Sequence, residues 1–108
     1  MSANIRVRQR LLAEVLRDGG KDIDGAATLF KEILDHGKKV WGDQYPLVQL
    51  YASEYARCFE LKGSRLKALE VYKKAYPIML KKWGKDYVRV KKVHTWIEGE
   101  SKMDEKKE

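Results

Sequence analysis

The sequence is short of the residues on which several classes of protein depend. Among its 108 residues are one cysteine, two prolines and a single asparagine. One cysteine excludes an internal disulfide framework, and the shortage of proline and asparagine disfavours a turn-rich β fold. No run of about 18 apolar residues occurs, so the sequence predicts no transmembrane helix. An unpaired cysteine without an apolar signal segment leads us to expect a reducing intracellular location, with the cytoplasm first.

The N-terminal segment admits two interpretations, a structural helix and a mitochondrial targeting peptide. Four arginines lie on an amphipathic pattern between residues 5 and 17, which is typical of a transit peptide. Glu14 and Asp18 count against targeting, because transit peptides are poor in acidic residues. The segment also completes a helical repeat, so we expect a structural helix and keep mitochondrial targeting as the alternative.

The charge of the chain is high and mostly basic. Charged residues make up 36% and apolar residues 44% of the sequence, and the net charge is +7. This balance indicates a folded domain and not a disordered chain. The basic excess suits acidic peptides, nucleic acid or anionic lipid, and it does not choose among them.

Apolar residues recur at helical spacing in five segments. Four turns separate these segments, and each turn contains glycine. The predicted helices span about residues 5–16, 22–42, 46–62, 64–84 and 86–98. Either Asp22 or Asp24 caps the second helix, and Ser64 caps the fourth. Pro77 lies inside the fourth helix and is expected to bend or break it. No strand pattern of period two is found, so the sequence predicts an all-α fold.

The sequence also repeats itself at an offset of 42 positions, where Trp41-Gly42 returns as Trp83-Gly84. Further matches at this offset are Ala26 with Ala68, Lys31 with Lys73, Lys39 with Lys81, Tyr45 with Tyr87 and Val48 with Val90. A fixed period of this length is the sequence signature of stacked supersecondary units. We therefore predict two helical hairpins and a C-terminal capping helix within residues 1–99, followed by a disordered charged tail over 100–108.

The third and fourth helices resemble the tetratricopeptide repeat. The resemblance rests on small, aromatic and glycine residues at the spacing of that family: Ala56, Phe59, Gly63, Ala68, Tyr72 and Ala75. Small residues let two helices approach closely, and the aromatic rings fill the adjoining space. The period of 42, together with the repeated Trp-Gly connector, is similar to the long repeats of kinesin light chains. This chain departs from their Leu-Gly-x-Asp-His-Pro connector, because tyrosine replaces histidine in both copies and the second copy lacks the proline.

The resemblance implies a function that composition alone does not. In this family the first helix of each hairpin lines a concave groove that holds an extended or helical peptide. The chain would then be a non-enzymatic adaptor or assembly subunit that binds an acidic or amphipathic segment of a protein partner. The groove positions, carried over by register, are Val7, Arg10, Glu14, Arg17, Leu50, Ser53, Glu54, Arg57, Glu60, Lys92, Thr95 and Trp96. Because two hairpins make only a short groove, we also expect self-association or membership of a larger complex.

Two interpretations of the charged groove positions stay open. Arg10, Arg57 and Lys92 could form one file that donates charge-assisted hydrogen bonds to an acidic peptide. Alternatively, these side chains form solvated intrachain pairs, such as Arg57 with Glu54 or with Glu60.

A second basic region offers an alternative function as an RNA-binding subunit of a ribonucleoprotein. Lysines surround Trp83 and Tyr87, and single-stranded nucleic acid binds such combinations of cations and aromatic rings. These lysines are Lys81, Lys82, Lys85, Lys91 and Lys92. The periodicity instead favours Trp83 and Tyr87 as core residues at a helix connector.

Residues that carry chemistry are few. His36 and His94 lack the spacing of metal ligands, and Cys58 lies on an apolar helix as a small buried residue. The sequence has no paired carboxylates on a recognisable catalytic loop and no glycine-rich phosphate loop. We therefore predict no enzyme activity, no catalytic residues, no metal and no cofactor.

Overall fold

A computed structural model describes the backbone of residues 3–106 and the side chains of residues 8–99. The five helices in chain order are α1 (Ala3–Asp18), α2 (Ile23–Trp41), α3 (Pro46–Leu61), α4 (Arg65–Trp83) and α5 (Val88–Lys106). Residues 3–106 contain no strand. The prediction of an all-α fold with five helices is confirmed.

The helix ends follow from local chemistry at the turns. Asp22 caps α2, because its carboxylate accepts a hydrogen bond of 2.8 Å from the N–H of Gly25. Gly42 and Gly84, the glycines of the repeated Trp-Gly pair, end α2 and α4 with φ angles of 86° and 85°. A side chain disfavours this positive φ, which explains why glycine stands at both positions. The sequence repeat is therefore also a repeat of backbone geometry.

Two segments differ from the sequence-based expectation. Helix α4 continues through Pro77 without a break. Pro77 and Lys73 are both exposed, so water can hydrogen-bond the Lys73 carbonyl that Pro77 leaves without a donor.

Helix α5 continues to Lys106, so residues 100–106 are helical where the sequence predicts a disordered tail. The lysine and glutamate that dominate this segment favour a helix, and no proline interrupts it. Residues 107–108 lie outside the described part.

Each helix packs chiefly on its neighbours in sequence, since connections of three or four residues fold consecutive helices back on one another. One core cluster joins α3, α4 and α5 and consists of Leu50, Ala56, Ala68, Tyr72, Ala75, Met79, Val90 and Val93. A second joins α1, α2 and α3 and consists of Ala13, Ala26, Phe30 and Cys58. Helix α3 contributes to both clusters and is the central element of the stack.

The small residues singled out in the sequence lie in the two core clusters between the helices. Ala26 and Ala68, which correspond at the offset of 42, are both fully buried. Ala56 and Ala75 are buried as well. Their burial fits the expectation that small side chains let neighbouring helices pack tightly.

Candidate functional site

A cluster of charged side chains joins the first helix of each hairpin to the capping helix. Glu54 of α3 is 2% exposed and accepts hydrogen bonds from Arg17 Nη1 at 2.8 Å and Arg89 Nη1 at 3.1 Å. Arg89 of α5 also lies 2.6 Å from Glu14 Oε1 of α1. These four residues, Glu14, Arg17, Glu54 and Arg89, are called the charged cluster below. They connect α1, α3 and α5 through side-chain ion pairs.

The central ion pair of the charged cluster, Arg17 with Glu54, is buried inside the fold. The Arg17 and Glu54 side chains are each 2% exposed. Burial alone would lower the pKa of the Arg17 guanidinium, but its hydrogen bonds to Asp18 and Glu54 raise that pKa overall. Arg17 therefore carries its charge at every physiological pH, and Glu54 is the buried acceptor that offsets it.

Arg57, Lys92 and Trp96 form a second group farther along the same surface, called the α3–α5 platform below. The Arg57 guanidinium lies 5.1 Å from the centre of the Trp96 ring and forms an ion pair with Glu60. The Arg17 hydrogen bond is the main reason that the pKa of the Asp18 carboxyl in α1 is lowered, and the positive charges of Arg57 and Lys92 add to this effect. The platform therefore presents two cations and an indole beside the charged cluster.

The structure places the twelve sequence-predicted groove residues in different environments. Four are buried and serve the scaffold: Arg17, Leu50, Ser53 and Glu54. Five are half-buried: Arg10, Glu14, Arg57, Glu60 and Trp96. Lys92 and Thr95 are exposed, and the side chain of Val7 lies outside the described residues. The half-buried and exposed residues are the ones that remain accessible to a partner.

Arg10 lies on α1 two turns before Asp18, the residue whose pKa Arg57 and Lys92 help to lower. The eight residues between them correspond to roughly 12 Å along the helix axis. The file of Arg10, Arg57 and Lys92 stays a prediction. Arg10 Nε is the one side-chain nitrogen or oxygen that is buried without a hydrogen-bond partner among the described residues.

The charges on this surface are nearly balanced. Four acids, Glu14, Asp18, Glu54 and Glu60, accompany five bases, Arg10, Arg17, Arg57, Arg89 and Lys92. Of the pairs considered from the sequence, Arg57 with Glu60 is present. Sequence reasoning missed Arg89, although it lies one helical turn before the predicted Lys92. That spacing was the available signal, because residues three apart share a helix face.

The stability of the protein is expected to depend on the ionisation of Asp18. A hydrogen bond from Arg17 holds the pKa of the Asp18 carboxyl below its ordinary value of 3.8, against the opposing effect of burial. Because the folded-state pKa is depressed, the carboxylate stabilises the fold above about pH 4, and this contribution is lost as the pH falls through the lowered pKa. The difference in free energy of unfolding between wild type and Asp18→Asn should therefore be present at about pH 6 and vanish in strong acid. Urea titrations of both proteins across this range measure it, and a difference that persists unchanged below about pH 2 would contradict the assignment.

The two Trp-Gly connectors carry paired aromatic rings. Trp41 stacks on Tyr45 with ring centroids 5.3 Å apart, and Trp83 lies 5.4 Å from Tyr87. Trp83 is half-buried against the larger core, whereas Trp41 is 45% exposed. Each connector ring therefore has an intrachain partner, which occupies one face that a nucleic acid base would need for stacking.

The single cysteine and the residue types that bind metals can be examined directly in the described part of the chain. Cys58 is fully buried, and burial raises the pKa of its thiol to about 11. No three His, Cys, Asp or Glu residues within that part of the chain are grouped so as to hold a metal ion. No helix there is long and apolar enough to cross a bilayer.

No protein-family model, curated protein or solved structure matches the chain. The geometry of the α1, α3 and α5 surface is therefore the basis on which a function is proposed.

Proposed function

We propose that the chain is a non-enzymatic protein-binding module of the tetratricopeptide kind. It acts as an adaptor or assembly subunit, and it holds an acidic or amphipathic segment of a protein partner on the surface of α1, α3 and α5. An intracellular location and a place in a larger assembly belong to the same proposal. The proposed similarity to tetratricopeptide repeats is supported by the stacked hairpins, the buried small residues and the two matched glycine turns.

Arg10 carries the proposal. Its Nε is buried and lacks a hydrogen-bond partner among the described residues. A buried donor without an acceptor costs about 1–3 kcal/mol, so native proteins rarely retain one without a role. Arg10 as a whole is half-buried, so a change of its side-chain rotamer would bring the guanidinium to the surface. A carboxylate from a partner is then the acceptor that best suits it, because the two planar groups can form paired hydrogen bonds.

The α3–α5 platform supplies the second contact. Lys92 is exposed, and Arg57 is held over Trp96 at 5.1 Å. A carboxylate here would compete with Glu60 for Arg57 and would meet Lys92 directly. The indole of Trp96 offers an apolar surface to a neighbouring side chain of the same segment.

The separation of the two contacts sets the spacing of the acidic residues. Arg10 lies roughly 12 Å along α1 from Asp18, whose pKa Arg57 and Lys92 help to lower, and we take this length as the separation of the two contacts. An extended peptide covers about 3.3 Å per residue, so about four residues span this distance. The module is therefore suited to an extended segment with carboxylates about four positions apart.

Selection of random peptides of about 12 residues on the purified protein tests the proposal. We expect the selected peptides to be enriched in Asp and Glu, and their affinity, measured by fluorescence anisotropy, to fall with rising salt. Arg10→Glu and Lys92→Glu should each weaken binding by about tenfold. A control with the double charge reversal Lys39→Glu/Lys73→Glu, on exposed faces of α2 and α4, should leave the affinity within about twofold.

Three outcomes would overturn the proposal. The first is selection of peptides without acidic enrichment, and the second is an equal loss of affinity in the control variant. The third is preferential binding of a labelled single-stranded RNA of about 20 nucleotides. RNA binding that is abolished by charge reversal at Lys81, Lys82 and Lys85 would establish the ribonucleoprotein alternative instead.

A further inference from the structure

An apolar groove lies between α2 and α4, with α3 as its floor. Its volume is about 230 Å³. The floor is Ala52 and Ala56, and the apolar walls include Leu34, Tyr55 and Val71. We call this the α2–α4 groove.

The α2–α4 groove and the proposed peptide surface lie on opposite sides of α3. At about 100° per residue, Glu54 and Arg57 share one side of the helix, whereas Ala52 and Phe59 lie about half a turn away. A ligand in the groove therefore makes contacts that are independent of Arg10 and the α3–α5 platform.

The groove stays accessible from solvent, and two alanines of α3 line it. Ala52, Tyr55 and Phe59 are half-buried, although α3 is the central helix of the stack. Tyr55 and Phe59 meet edge to face at 4.8 Å, which fixes the aromatic wall. An apolar concavity that stays accessible on a small protein is a candidate contact surface.

The rim of the groove is basic. Lys38, Lys67 and Lys74 lie around it with one acid, Asp43. Lys74 forms an ion pair with Asp43, and a hydrogen bond from Lys74 holds the pKa of that carboxyl below its ordinary range. Lys67 Nζ lies 4.8 Å from the centre of the Phe59 ring. The rim therefore has more positive charge than its own acid can offset, in contrast to the nearly balanced surface of α1, α3 and α5.

The size and charge of the groove together select its occupant. A volume of about 230 Å³ is below the ~300–1,000 Å³ of sites that enclose a whole small molecule. It suits a few apolar side chains projecting from a peptide. We propose that the α2–α4 groove docks an amphipathic helix of a protein partner, with apolar anchors in the groove and Asp or Glu facing the lysines.

Binding of a designed helical peptide tests this assignment. The probe is a labelled helix of about 18 residues with leucines along one face and glutamates beside them; a matched helix has lysine in place of glutamate. We expect the acidic helix to bind about tenfold more tightly than the basic one. Amide chemical shifts should change in residues lining the groove and stay unchanged at Arg10 and Lys92.

Two independent variants should weaken binding of the acidic helix by about tenfold. Ala52→Trp fills the groove, and Lys38→Glu/Lys67→Glu reverses its rim. The control Lys39→Glu/Lys73→Glu carries the same charge change outside the groove and should bind normally. The rim variant keeps the test valid if the tryptophan variant fails to fold, as judged by circular dichroism. Arg10→Glu should leave helix binding unchanged, so failure here is distinct from failure of the proposed function.

Other occupants would overturn the assignment. A second copy of the chain would be indicated by dimers in light scattering that Ala52→Trp abolishes. A membrane would be indicated by binding to phosphatidylserine vesicles that the rim variant abolishes, with no binding of the acidic helix. Equal affinity for the acidic and basic helices would also contradict it.

Discussion

Replacing Glu54 with alanine is expected to lower the free energy of unfolding by about 3–5 kcal/mol, the cost of removing one partner from a buried ion pair. The side chains of Glu54 and Arg17 are each 2% exposed. Without Glu54 the Arg17 guanidinium stays buried and keeps only Asp18 as a counterion. Arg89 loses one of its two carboxylate contacts. Because small domains have only about 5–15 kcal/mol of stability, this loss is a large fraction of the total.

Urea denaturation of Glu54→Ala, Glu54→Gln and Glu32→Ala measures the effect. Glu54→Gln keeps a hydrogen-bond acceptor and loses the charge, so its stability should lie between wild type and alanine. Glu32 is an exposed residue of α2, and its replacement should change stability by less than about 0.5 kcal/mol. A loss below about 1 kcal/mol for Glu54→Ala would mean that the charged cluster does not hold α1, α3 and α5 together.

Replacing Tyr72 with alanine is expected to lower the free energy of unfolding by about 3–5 kcal/mol, because it leaves a cavity in the larger core. Tyr72 is fully buried, and its ring lies 5.2 Å from that of Trp96. Its hydroxyl donates to Glu60 Oε1 at 3.1 Å. Burial, together with the negative charge of Glu60, raises the pKa of this hydroxyl above its ordinary value, so it remains a neutral donor.

Comparison with Tyr72→Phe separates packing from hydrogen bonding. The phenylalanine variant keeps the ring and should lose about 1 kcal/mol. Since Tyr72 supports both Glu60 and Trp96, the alanine variant should also weaken peptide binding at the α3–α5 platform. Thermal unfolding of the three proteins, with peptide affinity measured below the transition, checks both effects. Equal stabilities of the alanine and phenylalanine variants would contradict the assigned role of the ring.

Much of the fold could be predicted from local sequence features. Gly42 and Gly84 end helices because each supplies a positive φ that other residues resist. Ala26 and Ala68 are buried because a stack of hairpins brings helices close at equivalent positions of the repeat. Both properties depend on the residue itself and on its spacing, which the sequence displays directly.

The candidate site was less accessible to sequence reasoning because it depends on distant partners. Glu54 was assigned to an accessible groove, as a charged residue on a first helix normally would be. It is buried because Arg17, 37 residues before it, and Arg89, 35 residues after it, converge on its carboxylate. Helical periodicity cannot show such a convergence. The α2–α4 groove was missed for a similar reason, since its width depends on how α2 and α4 pack on either side of Ala52.

Titration of the isotopically labelled protein with a selected acidic peptide tests the central claim most directly, because amide chemical shifts report where the peptide binds. We predict that the largest shift changes will lie in α1, α3 and α5, around Arg10, Arg57 and Lys92. Residues of α2 and of the α2–α4 groove should keep their shifts. Shift changes confined to α2 and α4, or unchanged shifts at Arg10 and Lys92 with peptide in saturating excess, would contradict the claim.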